Sequence, residues 1–361
     1  MNRYLFVCCL LWTVSAYSQP PDVRSLQPEK LACTPVKDQF LSATCWSFSS
    51  VSLLESELLR KGKGISDLSE MFIARYSMLR KIRRHLALNG GNYFTPGGQF
   101  HDAAWVIRNY GMMPEEAYNG KGRKEPYHDH GEMDTLLHQI VRYCVANGFT
   151  ALDQRQQAVV DSILDHYYGP VPVQFDYKGR RYTPQSFRDD YLGLNMDDYL
   201  EITSYTHHPF YTTFVLEDKY NWTGDTYWNL PLTDFMAITD SALTKGYTVG
   251  WDGDAGDPDF NFQEGYASLR QTPGPDRQKE RQRAFETQTT LLDHMMHVVG
   301  STRKNGHTWY YIKNSWGDAS NPLGGFLYMQ DDYFSMRTVA IIVHKDAVPP
   351  AIRTRMGIKG K

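Results

Sequence analysis

A glutamine precedes a cysteine by six residues in "TPVKDQFLSATCWSFSS", residues 34 to 50. Gln39 can donate amide N–H groups, and Cys45 becomes a nucleophile once its thiol loses a proton. Such a thiol needs a base, and the base needs a holder that decides which of its nitrogens is free. His294 in "LLDHMMHVVG" and Asn314 in "YYIKNSWG" supply that pair far along the chain. The elements that must position these groups can be read locally. Val51, Leu54 and Leu58 recur at helical spacing after Cys45, with Ser42 or Thr44 as the cap. The spacing predicts a helix whose first turn holds the thiol, where unpaired backbone N–H groups and the positive end of the helix dipole favour thiolate. The competing reading of this stretch is a buried structural cysteine.

His294 and Asn314 flank the turn "KNGH", whose Asn305-Gly306 predicts a β-hairpin. A hairpin sets the two side by side, so that the Asn amide oxygen accepts from one imidazole nitrogen and leaves the other for a thiol. His297 competes for the base role, but three residues along a strand it points to the opposite face.

"PVKDQ" with Gln39, "CWSFS" with Cys45, "DH" with His294 and "KNSWG" with Asn314 and Trp316 together resemble the papain-like cysteine peptidases. The resemblance implies that Cys45 attacks the peptide carbonyl, that His294 exchanges the proton, and that Asn314 orients His294 beneath a shielding Trp316. Gln39 and the Cys45 backbone N–H would form the oxyanion hole. No cofactor or metal is implied. Gly97 and Gly98, in the glycine-rich loop, would hydrogen-bond an extended substrate, although a tight turn also wants glycines there. Met295 stands where the family usually has a small residue lining the pocket for the substrate's second residue, so a shallower pocket is expected. Ser42 and Thr95 occupy the places where secreted members carry a disulfide, which predicts that the bridge is missing here.

His294 follows Cys45 by 249 residues, against about 130 to 150 in common members. The long insertion, with "MDDYLEITSYTHHPFY", "GGFLYMQDDYFSM" and "VHKDAVPPAIRTRMGIKGK", resembles the bleomycin hydrolase and aminopeptidase C branch. That branch implies a C-terminus lying in the cleft, where the carboxylate of Lys361 would pair with the substrate's α-ammonium and restrict cleavage to free amino ends. The alternatives are a papain-like endopeptidase with an open cleft and a non-catalytic peptide-binding protein of the same fold. Relatives in the branch form hexamers, but this chain is shorter than they are, so the resemblance leaves a homo-oligomer and a monomer both open.

Composition is that of an ordinary globular protein: 41% of the 361 residues are apolar, 14% aromatic and 22% charged, with a formal net charge of -3. A weak and mixed charge offers no footprint for nucleic acid, and peptides remain the expected partners. Arg3 followed by "YLFVCCLLWTV" and small residues reads as a signal peptide over residues 1 to 18, too short for a membrane span of about twenty residues. Export to the periplasm or the extracellular space, without stable membrane insertion, is the expectation. Cys33, Cys45 and Cys144 then remain, an odd number, so at least one thiol stays free; Cys33 and Cys144 could pair or be buried.

Helices are expected over 45 to 60, 66 to 87, 99 to 110, and as a pair over 134 to 167 broken near Asn147-Gly148. From about residue 200 the chain turns aromatic and β-branched. Helices first and strands later predict an α+β fold of two lobes. With the resemblance, this becomes one papain-like domain over 19 to 361: a helical lobe over about 40 to 170, an antiparallel β lobe over about 200 to 345, inserted helices, and a tail over 346 to 361. Three weaker signals accompany it. Asp252, Asp254, Asp257 and Asp259 read as a solvated turn, with a secondary reading that one of them lies near the cleft and holds a substrate amine. His207-His208 lacks nearby metal ligands in sequence, and "NWT" at Asn221 is a glycosylation sequon.

Overall fold

Residues 21–122 and 126–358 are described by the computed structural model, so the expected signal segment and Lys361 lie outside the described residues. After the short strand β1 (Glu29–Lys30), the helical lobe is built from α1 (Cys45–Arg60), α2 (Glu70–Ala87), α3 (Phe100–Tyr110), α4 (Gly131–Ala146) and α5 (Gln154–Tyr168). A hairpin of β2 (Phe175–Tyr177) and β3 (Arg180–Tyr182) and the single turn α6 (Pro184–Ser186) close it. Local chemistry sets these boundaries. Ser69 accepts from Phe72 N–H at 3.1 Å and starts α2 four residues later than expected. Gly148, at φ +72°, breaks the α4–α5 pair, and Asp153 with Gln156 forms the capping box that restarts it. Val51, Leu54 and Leu58 are fully buried against α2 and α3, as the helical spacing predicts.

The β lobe begins with β4 (Tyr199–Thr203), β5 (Thr212–Val215) and β6 (Thr226–Asn229), then α7 (Leu232–Thr244). It continues through β7 (Val249–Gly253), β8 (Phe260–Asn261), β9 (Tyr266–Ala267), α8 (Arg277–Glu286), β10 (His294–Lys304), β11 (His307–Lys313) and β12 (Phe326–Gln330). Helix α9 (Asp331–Arg337), β13 (Thr338–His344) and α10 (Pro350–Arg355) complete it. The strand order is β5-β6-β4-β13-β7-β10-β11-β12-β9-β8, with β1 paired to β10. The expected antiparallel lobe is corrected to a mixed sheet, because β4 runs parallel to β6 and β12 parallel to β9. In both pairs the partners are joined by intervening structure long enough to cross over, which a tight hairpin cannot do.

Helix α1 makes much of the contact between lobes. It lies against β10, where Ser49 Oγ donates to Met296 O at 2.7 Å and Ser52 Oγ meets His297 Nδ1 at 2.8 Å. Lys313 Nζ reaches Ser52 Oγ and Thr34 Oγ1 at 2.8 and 3.0 Å, so the buried seam is polar and paired. Met295 packs with the helical-lobe core while Met296 and Val298 pack inside the β lobe, the alternation a strand imposes. Among the described residues no helix is long and apolar enough to cross a membrane.

Candidate active site

The N-terminus of α1 opens into a cleft of about 290 Å³ between the lobes, lined by Gln39, Cys45, Gly97, Gly98, Tyr220, Asp252, His294, Met295 and Trp316 among others. Every expected site residue that lies within the described region is therefore in or beside one cleft. The hairpin does its part as predicted: Asn305 and Gly306 both have positive φ, 52° and 82°, and β10 and β11 return with His297 opposite Lys313. One residue past β11, the Asn314 Oδ1 accepts from His294 Nε2 at 2.7 Å and from Ser315 N–H at 2.8 Å. The backbone donor fixes the amide with its oxygen toward the ring. Nε2 then carries the proton, and Nδ1 is left as acceptor. Trp316 stacks on His294 with ring centroids 4.6 Å apart, covering the face of the imidazole.

Gln39 is clamped by a residue given no role in the sequence reading. Its N–H donates to Ser315 O at 2.8 Å, and its Oε1 accepts from Ser315 Oγ at 2.7 Å. With the oxygen held, the two amide hydrogens of Gln39 remain for the cleft. The Cys45 N–H, at the first position of α1, has no partner within the helix. Phe40 and Ala43 in the loop between them sit at φ 47° and 53°, a conformation non-glycine residues hold only when packing imposes it. "KNSWG" contained Ser315, but nothing in the sequence could reveal that its hydroxyl reaches back to residue 39.

The electrostatics correct one expectation. Burial pushes the half-buried Cys45 thiol up to about 12, partly offset by hydrogen bonds from the Met295 and Trp46 backbones and reinforced by Asp252 and Asp293. Burial likewise pushes the His294 imidazole down to about 4, against the Asn314 hydrogen bond. Desolvation at this site opposes the thiolate that the helix end favours. The expected cap is also absent: Thr44 occupies the N-cap position without a side-chain cap bond, its hydroxyl instead paired with Ser42 Oγ at 2.5 Å.

His297 is excluded as the base, being buried against Ser52, seven residues or about two helical turns from Cys45. Gly97 and Gly98 line the cleft, and packing demands both. A Cβ on Gly97 would lie 2.6 Å from the Tyr220 ring, and one on Gly98 would lie 2.9 Å from both Asp102 Oδ2 and Trp46 Cε2. Lys81 Nζ holds the carbonyls of Thr95 and Gly97. Cys33, Cys45 and Cys144 are all free, so Cys33 and Cys144 do not pair, and Ser42 and Thr95 replace any bridge.

The weaker signals resolve differently. Asp252 and Asp254 are 4% exposed and do not form a solvated turn. Asp254 accepts from Leu291 N–H, Asp257 pairs with Arg337 and Asp259 with Arg270, which leaves Asp252 in the cleft. The acidic neighbour that His207-His208 lacked in sequence is Glu217, which meets the two Nε2 atoms at 3.1 and 2.6 Å. Asn221 is buried and donates to Leu216 O and Asp225 O, so the sequon is not presented to solvent. Tyr220, from the inserted region, was missed entirely and forms a wall of the cleft.

Comparison with known proteins then places this geometry. Residues 173–358 match the Peptidase C1-like family, and residues 18–189 match the papain family of cysteine proteases. Aminopeptidase E of Lactobacillus helveticus is 25% identical over 86% of this chain and 81% of its own length. Aminopeptidase C of the same organism is 20% identical over 88% and 80%. The crystal structure of PepW from Lactobacillus rhamnosis superposes with a TM-score of 0.71 at 19% identity, covering 91% of this chain and 84% of that one, a likeness of fold.

Proposed function

We propose, because the chain belongs to the Peptidase C1-like family of cysteine peptidases, that it hydrolyses peptide bonds through Cys45, His294, Asn314 and Gln39. The observation that carries this reading is the Asn314-held imidazole of His294 in the same cleft as Cys45, with the Gln39 amide clamped beside it. His294 Nδ1 takes the thiol proton as sulfur bonds to the carbonyl carbon. The oxygen gains charge between the Gln39 amide and the Cys45 N–H, where one donor is worth about 3 kcal/mol. The C–N bond then breaks as His294 returns the proton to the amine, and water activated by the same imidazole hydrolyses the thioester.

The family relatives named above support an aminopeptidase, and the tail would impose that restriction through the Lys361 carboxylate. An open cleft and internal cleavage form the second reading. It is favoured by the anchoring of α10 on the β lobe, where Arg355 pairs with Asp234 and Ile358 packs on the core, and by the fact that no described residue after β13 lines the cleft. Residues 1 to 18 would direct export, for which the apolar run after Arg3 is the support; N-terminal sequencing of the mature chain tests it.

The central experiment is labelling with a cysteine-directed epoxide alongside hydrolysis of a peptide mixture. Stoichiometric modification at Cys45 and loss of hydrolysis in C45A are expected. An inert Cys45, or turnover that survives C45A, refutes the mechanism and favours a binding protein.

A further inference from the structure

Asp252 has no part in the machinery above. It lies on β7, paired through its Cα with Met295 of β10, the residue after His294, and with Ala340 of β13. Cross-strand partners share a face, so its side chain stands beside that of Met295. Only 4% exposed, it lines the cleft with Gly98, Tyr220, Leu292 and Met295. No hydrogen bond or ion pair reaches its carboxylate from the described residues. Buried carboxylates are almost always paired, because desolvation of an unpaired one is costly.

Its surroundings deepen the deficit. Asp218, Glu201 and Asp293 all add negative potential at Asp252, and His101 opposes them. Those neighbours are already engaged. His101 Nδ1 meets Glu201 Oε1 at 3.1 Å, Asp218 accepts from Tyr220 N–H at 2.7 Å, and Asp293 accepts from Ala255 and Gly256 N–H at 2.8 and 3.0 Å. Burial and like charges raise the Asp252 carboxyl well above the ordinary carboxylate range, the direction a nearby positive charge would reverse.

We propose that Asp252 is the floor of a cation-binding subsite of the cleft, taking an ammonium or guanidinium group of the peptide substrate. The assignment rests on the peptidase reading above. Two parts of a substrate carry that chemistry: its free α-ammonium, and a Lys or Arg side chain at the second residue before the cut bond. A neutral apolar side chain would leave the carboxyl without a partner, so the subsite discriminates by charge.

The test compares wild type with D252N on two matched pairs of fluorogenic peptide amides. One pair has a free or an absent α-amino group, and the other is N-blocked with Arg or Leu at the second residue. A hydrogen-bonded charge contact predicts about a 10- to 100-fold preference of the wild type for the cationic member of one pair, abolished in D252N through KM. Loss confined to the first pair assigns the α-ammonium; loss confined to the second assigns the side chain. Wild-type rates that ignore charge in both pairs overturn the proposal, as does a D252N defect of equal size on neutral substrates. Should D252N fail to fold, D252S in the same comparison decides, because wild-type ratios do not separate Asp252 from the Lys361 carboxylate. Epoxide labelling of Cys45 and turnover of any member of the set report separately on the peptidase reading.

Discussion

The Ser315 hydroxyl offers a sharp test of how the oxyanion site is assembled. Replacing Ser315 by Ala removes the 2.7 Å bond to Gln39 Oε1, while the backbone bond from Gln39 N–H to Ser315 O at 2.8 Å persists. The loop should therefore stay in place and only the amide should loosen. An unmet buried acceptor costs about 1–3 kcal/mol, which would drive Gln39 to rotate away from its productive setting. The ceiling is the loss of a whole oxyanion donor, about 10²- to 10³-fold in kcat. S315A should then lower kcat by about 5- to 150-fold with KM nearly unchanged, since the interaction strengthens only as the oxygen gains charge. Q39A should fall to the ceiling, and Q39A/S315A should be no worse than Q39A alone, because Ser315 acts through Gln39. Steady-state kinetics on one peptide amide measure all four enzymes. Independent, multiplying defects would refute the clamp, as would wild-type kcat in S315A.

Three other outcomes are expected. His294 is held at about 4, below its unfolded value near 6.5, so its contribution is fully present above pH 6.5 and is lost as pH falls toward 4. Wild type should lose roughly 3 kcal/mol more unfolding free energy than H294N between pH 7 and pH 4 in urea titrations, and parallel curves would sink that estimate. Met295, buried at the cleft, should make substrates with Ala at the second residue faster than those with Leu, and M295A should reverse the order; a clear wild-type preference for Leu would count against a shallow pocket. Removing residues 359 to 361 leaves the α10 anchor intact and should trade release of N-terminal residues for internal cleavage, read by mass spectrometry of the products. An unchanged product pattern removes the tail from the mechanism.

What could be read in advance depended on how far apart the interacting groups lie. Cys45 at a helix start, the Asn305-Gly306 turn and the His294–Asn314 pair are local patterns, and a hairpin turns local spacing into contact with few alternatives. The parallel β4–β6 and β9–β12 pairings have no such local signature, since they depend on how intervening elements cross over. Side-chain contacts between distant parts of the chain were equally hidden: Ser315 to Gln39 and Tyr220 against Gly97.

Charge state was the least legible property of all. A thiol at a helix N-terminus argues for thiolate only while water remains nearby, and the burial that Cys45 and His294 share in one cleft works against it. The same burial strands Asp252. Burial thus does two things at once in this cleft: it opposes charge on both Cys45 and His294, and it leaves at Asp252 a carboxyl with no partner among the described residues. If the second effect were a mere by-product of packing, an isosteric Asn at 252 should stabilise the protein and leave its substrate preferences alone. If it is a recognition device, stability rises and charge discrimination disappears together, the trade expected where a site holds an uncompensated group for its ligand.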